Sequence, residues 1–366
     1  MRPLRAGLIG AGTIAWSAHL PAITQLRGLV ELVAVADVRE SAARRAVQHF
    51  GGEAAYTDYR QVLDRADIDL VIICTPEFLH AEQTIAAAAA GKHVLCEKPM
   101  AANLSEADAM LDACQRAGVL LMIGHSRRFI PRYQRIHEAI VAGEIGDVRF
   151  VRENERRAQA MYTAIDQAHE YWLPHEREGD RRPWLALAGF SQGAALTNAV
   201  HETDLFRWFT GSDAVEAYAE SRITDPHGEV PDMLSAMVRF ASGAVGATEV
   251  VNRLPPSYPI AHMTEVAGRE GVIRAYDTEM ATLQVIHAQG SHFPANWGTL
   301  LHVAEAYRAE IRGFVQAIQR GKPPPLDPWD ARQALAIALA FVRSSQEGRW
   351  VRLEEIGPVS RAEVWR

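Results

Sequence analysis

Short apolar runs alternate with helical stretches through the first third of the chain. Residues 4–9, 31–36, 70–74, 93–96 and 119–123 read as strands. The run Leu70-Val71-Ile72-Ile73-Cys74 has no polar member, the pattern of a strand covered on both faces. Between the strands, residues 41–50, 58–65, 78–90 and 105–117 suit helices. Gly51-Gly52, Gly91 and Gly118 stand where helices stop, and Ser105 is the expected N-cap of the last. The helix after the first strand carries Pro21, which should kink or interrupt it. This order predicts an α/β fold with a parallel, doubly wound sheet and right-handed crossovers. Ligands of such sheets bind beyond the carboxyl ends of the strands. The positions to watch are therefore Gly10 to Ile14, Asp37, Thr75-Pro76, Glu97-Lys98-Pro99 and Gly124 to Arg128.

The pattern changes from Val148. Leu234, Ala236, Val238 and Phe240 alternate with Met233, Ser235, Met237 and Arg239, as in an antiparallel strand with one covered face. Residues 148–152, 245–251, 263–267, 272–276 and 283–287 are further β candidates. Helices are expected near 300–319 and 330–344, separated by Gly321-Lys322-Pro323-Pro324-Pro325. Two domains follow: 1–125 around the parallel sheet, and 126–366 as an α+β domain with an open, mainly antiparallel sheet. The last helices are free to pack back on the first domain.

The turn after the first strand, Gly10-Ala11-Gly12-Thr13-Ile14-Ala15, has the G-x-G-x-x-A form of a dinucleotide-binding loop. Gly10 makes the tight turn, and Gly12 lets the backbone approach a pyrophosphate. Thr13 and Ile14 open the helix whose N–H groups face the phosphates. Glycine pairs after strands are also ordinary turn chemistry. The second strand, however, ends in Asp37, about twenty residues on, where a ribose-binding acid is expected. Asp37 favours NAD over NADP, because a carboxylate repels a 2′-phosphate. Arg39 or Arg44 would reverse that choice if it swung onto the phosphate.

Composition changes the picture only by exclusion. The chain has 366 residues and a net charge of −7, without the basic excess of a nucleic-acid binder. Its three cysteines, Cys74, Cys96 and Cys114, fit no metal spacing and read as reduced core residues. No apolar run is long enough to span a bilayer, and the N-terminus enters a strand at once, so a cytoplasmic protein is expected.

Glu97-Lys98-Pro99 is the most informative strand exit. Pro99 biases Lys98 toward an extended backbone at the mouth of the sheet. There a lysine is either an ordinary turn residue or a partly desolvated amine that shares a proton with a substrate oxygen. With Gly10-Ala11-Gly12, Asp37, Thr75-Pro76 and His80, the run Ala90-Gly91-Lys92-His93-Val94-Leu95-Cys96-Glu97-Lys98-Pro99 resembles the glucose–fructose oxidoreductase / inositol dehydrogenase (Gfo/Idh/MocA) family. Gly124-His125-Ser126-Arg127-Arg128-Phe129 is similar to that family's next signature, which usually reads glycine, aromatic, asparagine, arginine. The likeness continues at Gly193 and through His201-Glu202-Thr203-Asp204-Leu205-Phe206-Arg207-Trp208.

The resemblance implies a Rossmann domain followed by a substrate domain whose outer sheet face supports homodimers or homotetramers. It implies hydride transfer between nicotinamide and a secondary alcohol or ketone of a sugar, polyol or sugar acid. Lys98 would bind the reacting oxygen and shuttle its proton. Glu97 would contact the cofactor side, and Thr75, Pro76 and His80 would line the adenine–ribose and pyrophosphate path. Arg127 would lie near the nicotinamide or substrate.

His201 is the second candidate for chemistry, one helical turn after Thr197 and on the same face. It reads as a general acid–base group or as a histidine bonded to backbone. The family commonly has an acid four residues before this histidine, and here that position is Thr197, followed by Asn198. Proton transfer then falls to Lys98 with His201 positioning the substrate, or is shared through water. Residues 153–190 lack periodicity but are rich in aromatic and arginine side chains, among them Tyr162 and Trp184, which suit sugar faces and acidic groups. A solvated loop or an oligomer contact has the same composition. His169 and His175 have no ligand partners at metal spacing. Two other functions share these motifs: a redox-neutral glycosidase that uses bound NAD transiently, and a cofactor-binding sensor without turnover.

Overall fold

The computed structural model describes residues 2–158, 188–254, 261–277, 282–287, 290–292 and 300–364. A first sheet is built from β1 (Leu4–Ile9), β2 (Val30–Ala36), β3 (Ala54–Tyr56), β4 (Leu70–Ile73), β5 (His93–Glu97) and β6 (Leu121–Gly124). Its strand order is β3-β2-β1-β4-β5-β6, and every pairing is parallel. The order reverses beside β1, so the crevice for a ligand opens between the exits of β1 and β4. All four residues of β4 are buried, as its unbroken apolar run requires.

The helical span after β1 differs from a plain helix. Residues Ala15–His19 form one wide turn, with the Leu20 N–H bonded to the Ala15 carbonyl, ahead of α1 (Leu20–Gln25). The wide turn accommodates Pro21, which has no N–H to give a regular helix. Next come α2 (Glu40–Phe50), α3 (Arg60–Leu63), α4 (His80–Ala89), α5 (Leu104–Ala117) and α6 (Pro131–Val141). The cap of α5 is a correction: Asn103, not Ser105, accepts the Glu106 N–H, because the helix begins one residue earlier. Asn and Ser are near-equal caps, so spacing alone does not separate them.

Among the described residues a second sheet has nine strands. They are β7 (Val148–Ala158), β8 (Ala214–Arg222), β9 (Met233–Phe240), β10 (Val245–Leu254), β11 (Ala261–Gly268), β12 (Gly271–Asp277), β13 (Thr282–His287), β14 (Gly290–His292) and β15 (Val351–Arg352). Only β7 and β10 run parallel; the other pairings are antiparallel. Leu234, Ala236, Val238 and Phe240 point into the core, whereas Met237 is 42% exposed on the other face. One face is covered by α7 (Val200–Thr210) and by α9 (Pro328–Glu347), and α8 (Leu300–Arg320) lies on α1. Arg332 of α9 is fully buried and pairs with Asp108 of α5, tying the C-terminal helices to the first sheet's layer. No helix among the described residues is long and apolar enough to cross a membrane.

Candidate active site

The glycine loop is shaped for a close approach. Gly10 has φ +89°, and a Cβ there would lie 2.9 Å from the Cys74 carbonyl. Glycine alone fits both demands. A Cβ on Gly12 would meet nothing within 4 Å, so that backbone faces open space. Thr13 and Ile14 follow at the N-terminal end of the helical span, where N–H groups lack intrahelical partners. Asp37 closes the loop from β2: its Oδ2 accepts the Ala11 N–H at 2.8 Å and its Oδ1 accepts the Arg39 N–H at 2.9 Å. The Arg39 guanidinium lies 3.3 Å from the same carboxylate. A tight turn, an open backbone beside it and a strand-end acid fit a dinucleotide.

At the exit of β5, Glu97 is buried with its Oε1 2.7 Å from His19 Nε2, and its Oε2 accepts the Lys98 N–H at 3.1 Å. Burial alone would push its carboxyl up, but the His19 hydrogen bond and charge, together with Lys98, hold it below the usual range. The Lys98–Pro99 peptide bond is cis. The Lys98 Nζ donates to the Thr197 carbonyl at 2.8 Å, a neutral acceptor. Burial disfavours its ammonium, Glu97 works against that, and Arg157 and Arg127 reinforce it, leaving Lys98 below the ordinary lysine value.

Thr75 and Pro76 stand at the exit of β4, where the Thr75 hydroxyl meets Gln83 Oε1 at 2.7 Å. His80 is fully buried, its Nδ1 2.8 Å from the Pro99 carbonyl and its Nε2 2.8 Å from that of Thr75. It therefore joins the two strand exits. Glu77, which the motif reading passed over, is buried beside Lys98, and burial pushes its carboxyl up to about 7. It directly follows Pro76, so the strand-exit rule alone would have reached it.

Arg127 is buried among carboxylates. Its Nη1 donates to Glu202 at 2.7 Å, its Nη2 donates to Glu155, and Glu153 lies 3.6 Å away. All three acids are fully buried. Tyr133 and Thr264 also donate to Glu153. Arg127 still acts electrostatically on Lys98 and His201, but its own hydrogen bonds go to protein acids. Glu153, Glu155 and Glu202 were not among the sequence candidates.

The segment Ala195–Ala199 is a wide turn leading into α7. It presents the Thr197 carbonyl to Lys98 and turns the Thr197 hydroxyl to Asn198 Oδ1 at 2.8 Å. Asn198 is held by Glu155 at 3.1 Å and by Asn252 at 2.8 Å. His201 is buried and its Nδ1 has no hydrogen-bond partner among the described residues. Burial, reinforced by Lys98 and Arg127, keeps its imidazole neutral. Tyr162 and Trp184 lie outside the described residues. Among the described residues no group of three or more His, Cys, Asp or Glu is placed to hold a metal.

Known proteins match this arrangement over most of the chain. The family model described as an oxidoreductase family with an NAD-binding Rossmann fold covers residues 4–125. Its companion, the oxidoreductase family's C-terminal alpha/beta domain, covers 137–353. The myo-inositol 2-dehydrogenase of Thermotoga maritima is 29% identical over 96% of this chain and 99% of its own. The 1,5-anhydro-D-fructose reductase of Ensifer adhaerens is 30% identical over 96% and 98%. The structure of levoglucosan dehydrogenase in complex with NADH superposes with a TM-score of 0.81 at 26% identity, covering 96% of this chain and 99% of that one. The chain belongs to the Gfo/Idh/MocA oxidoreductases, with the NAD-binding Rossmann fold and the C-terminal α/β domain of that family.

Proposed function

We propose that the protein is an NAD-dependent dehydrogenase or reductase that moves hydride between nicotinamide and a secondary alcohol or ketone of a sugar, polyol or sugar acid. The observation that carries this reading is Lys98, held at the carboxyl end of a parallel sheet on a neutral carbonyl, with its amine biased toward the uncharged form. NAD, when bound, supplies the hydride acceptor. In the oxidative direction the neutral Lys98 amine takes the hydroxyl proton, and in reduction its ammonium returns it. Lys98 Nζ reaches the substrate oxygen by exchanging the Thr197 carbonyl for it. The neutral His201 offers one nitrogen to a substrate hydroxyl, which fixes the reacting carbon. Thr197 and Asn198 shape the wall, while Thr75, Pro76 and His80 hold the loop edges beside the cofactor. The half-exposed Met237 on the outer face of the second sheet supports a homo-oligomeric contact.

Two outcomes test parts of this reading. Asp37→Ser removes the acceptor for the ribose hydroxyls, and NAD binding should weaken about 10-fold or more, since a hydrogen bond to a charged group is worth about 1.5–3 kcal/mol. Titration of protein fluorescence with NAD measures this, and an unchanged Kd contradicts the role. Thr197→Asp places a carboxylate beside Lys98, which favours the ammonium and raises its pKa. The acid limb of kcat/KM for alcohol oxidation should then move to higher pH by about one unit. A limb that stays put, or moves down, contradicts proton uptake by Lys98. The reading as a whole is tested by whether NADH accumulates mole for mole with product. Cleavage of a glycoside without NADH would point to the redox-neutral enzyme, and tight NAD binding without turnover to a sensor.

A further inference from the structure

Behind His201 lies a second histidine that the reading above leaves unused. His125 follows β6 at the position where the family signature usually carries a plain aromatic residue. Its side chain is 1% exposed, and neither ring nitrogen has a hydrogen-bond partner among the described residues. A buried, unpaired polar atom costs about 1–3 kcal/mol, which packing alone does not repay. The ring stands edge-on to His201, with centroids 6.2 Å apart at 85°. On its other side, His125 Nδ1 is 3.9 Å from Asp204 Oδ2. Asp204 is one turn beyond His201 on α7 and itself accepts from Nε and Nη2 of Arg128. The Asp204–His125 gap is wider than a hydrogen bond of about 2.7–3.2 Å, as catalytic contacts often are before the ligands arrive.

Resting on the active-site reading above, we propose that His125 is a positioning residue. It bridges Asp204 to His201 and so does the work of the carboxylate that the family commonly has four residues before that histidine and that Thr197 cannot do. The charges facing the pair are mixed. Asp204, Arg128, Lys98 and Glu97 act on His125; Lys98, Arg127, His125 and Arg157 act on His201. Among the described residues no carboxylate touches His201, and the His125 ring stands beside it.

The test is a cycle of His125→Phe, Thr197→Asp and the double variant, all NAD-loaded. His125→Phe restores the usual aromatic, so folding and NADH binding should persist. Its kcat should fall about 10- to 100-fold with the KM for NAD unchanged, and the double variant should recover most of that loss. A purely structural role would not be rescued by an acid at 197. Independently of turnover, the imidazole N–H of His125 should give a slowly exchanging low-field proton resonance in the NADH-loaded protein, absent in His125→Phe. Wild-type kcat in His125→Phe, a double variant no better than the single one, or no such resonance would each overturn the proposal. Activity surviving in Lys98→Ala would instead sink the catalytic reading on which it rests.

Discussion

Lys98→Ala protein should bind NADH as the wild type does, yet turn over two to three orders of magnitude more slowly. Among the described residues the amine's hydrogen bond is to the Thr197 carbonyl, so its removal strands no hydrogen-bonded carboxylate. Glu97 keeps His19 as its partner, which preserves the strand exit. What disappears is the group that takes and returns the proton of the reacting oxygen, and positioned acid–base groups contribute about 10²–10⁴ in rate. The loss should fall on kcat, not on the KM for NAD. Steady-state rates with both substrates varied separate the two, and a fully active variant would remove Lys98 from the mechanism.

Arg127→Leu should be the most damaging change to stability. Arg127 is the shared partner of Glu202 and Glu155, with Glu153 close by, and all three acids are fully buried. Taking away one member of a buried ion pair costs about 3–5 kcal/mol, a large part of the about 5–15 kcal/mol that holds a domain folded. Protonation then relieves the acids beyond what Tyr133, Thr264 and Asn198 still supply. Burial already raises the Glu153 and Glu202 carboxyls, and without Arg127 they rise further. A group whose folded pKa lies above its unfolded one stabilises the fold at low pH and loses that stability as pH climbs through the folded value. The variant should therefore lie closer to wild type at pH 5 than at pH 8. Urea unfolding at the two pH values measures this. A cost under about 1 kcal/mol at pH 8 would mean that the cluster does not depend on Arg127.

The same cluster marks where the sequence stops being readable. The first sheet was legible because buried strands such as β4 are unbroken apolar runs, and the glycine loop and strand-end acid have fixed spacing. Strand β7 was cut short at Arg152 because Arg152-Glu153-Asn154-Glu155-Arg156-Arg157 looks like a solvated run. The strand continues to Ala158. Glu153 and Glu155 point inward while Arg152 and Arg156 point out, so the period of two was present but carried by charges. Partners distant in sequence, Arg127 and Asn198 for Glu155 and Tyr133 and Thr264 for Glu153, make the inward acids tolerable. Strands β3 and β15 are too short to show a period, and β8 hides its alternation behind alanines. Of the site, Lys98, His201 and Asp37 could be reached from motifs; Glu77 and His125 stand at strand exits, but only their burial without full hydrogen bonding singles them out.

The central claim is hydride transfer at Lys98. The most direct measurement is absorbance at the reduced-nicotinamide band after mixing purified protein and NAD with inositols, aldoses, glycosides and sugar acids, with Lys98→Ala in parallel. The account predicts NADH forming in step with product for one of these groups and a loss of two to three orders in the variant. Product without NADH, or equal rates in both proteins, would contradict it.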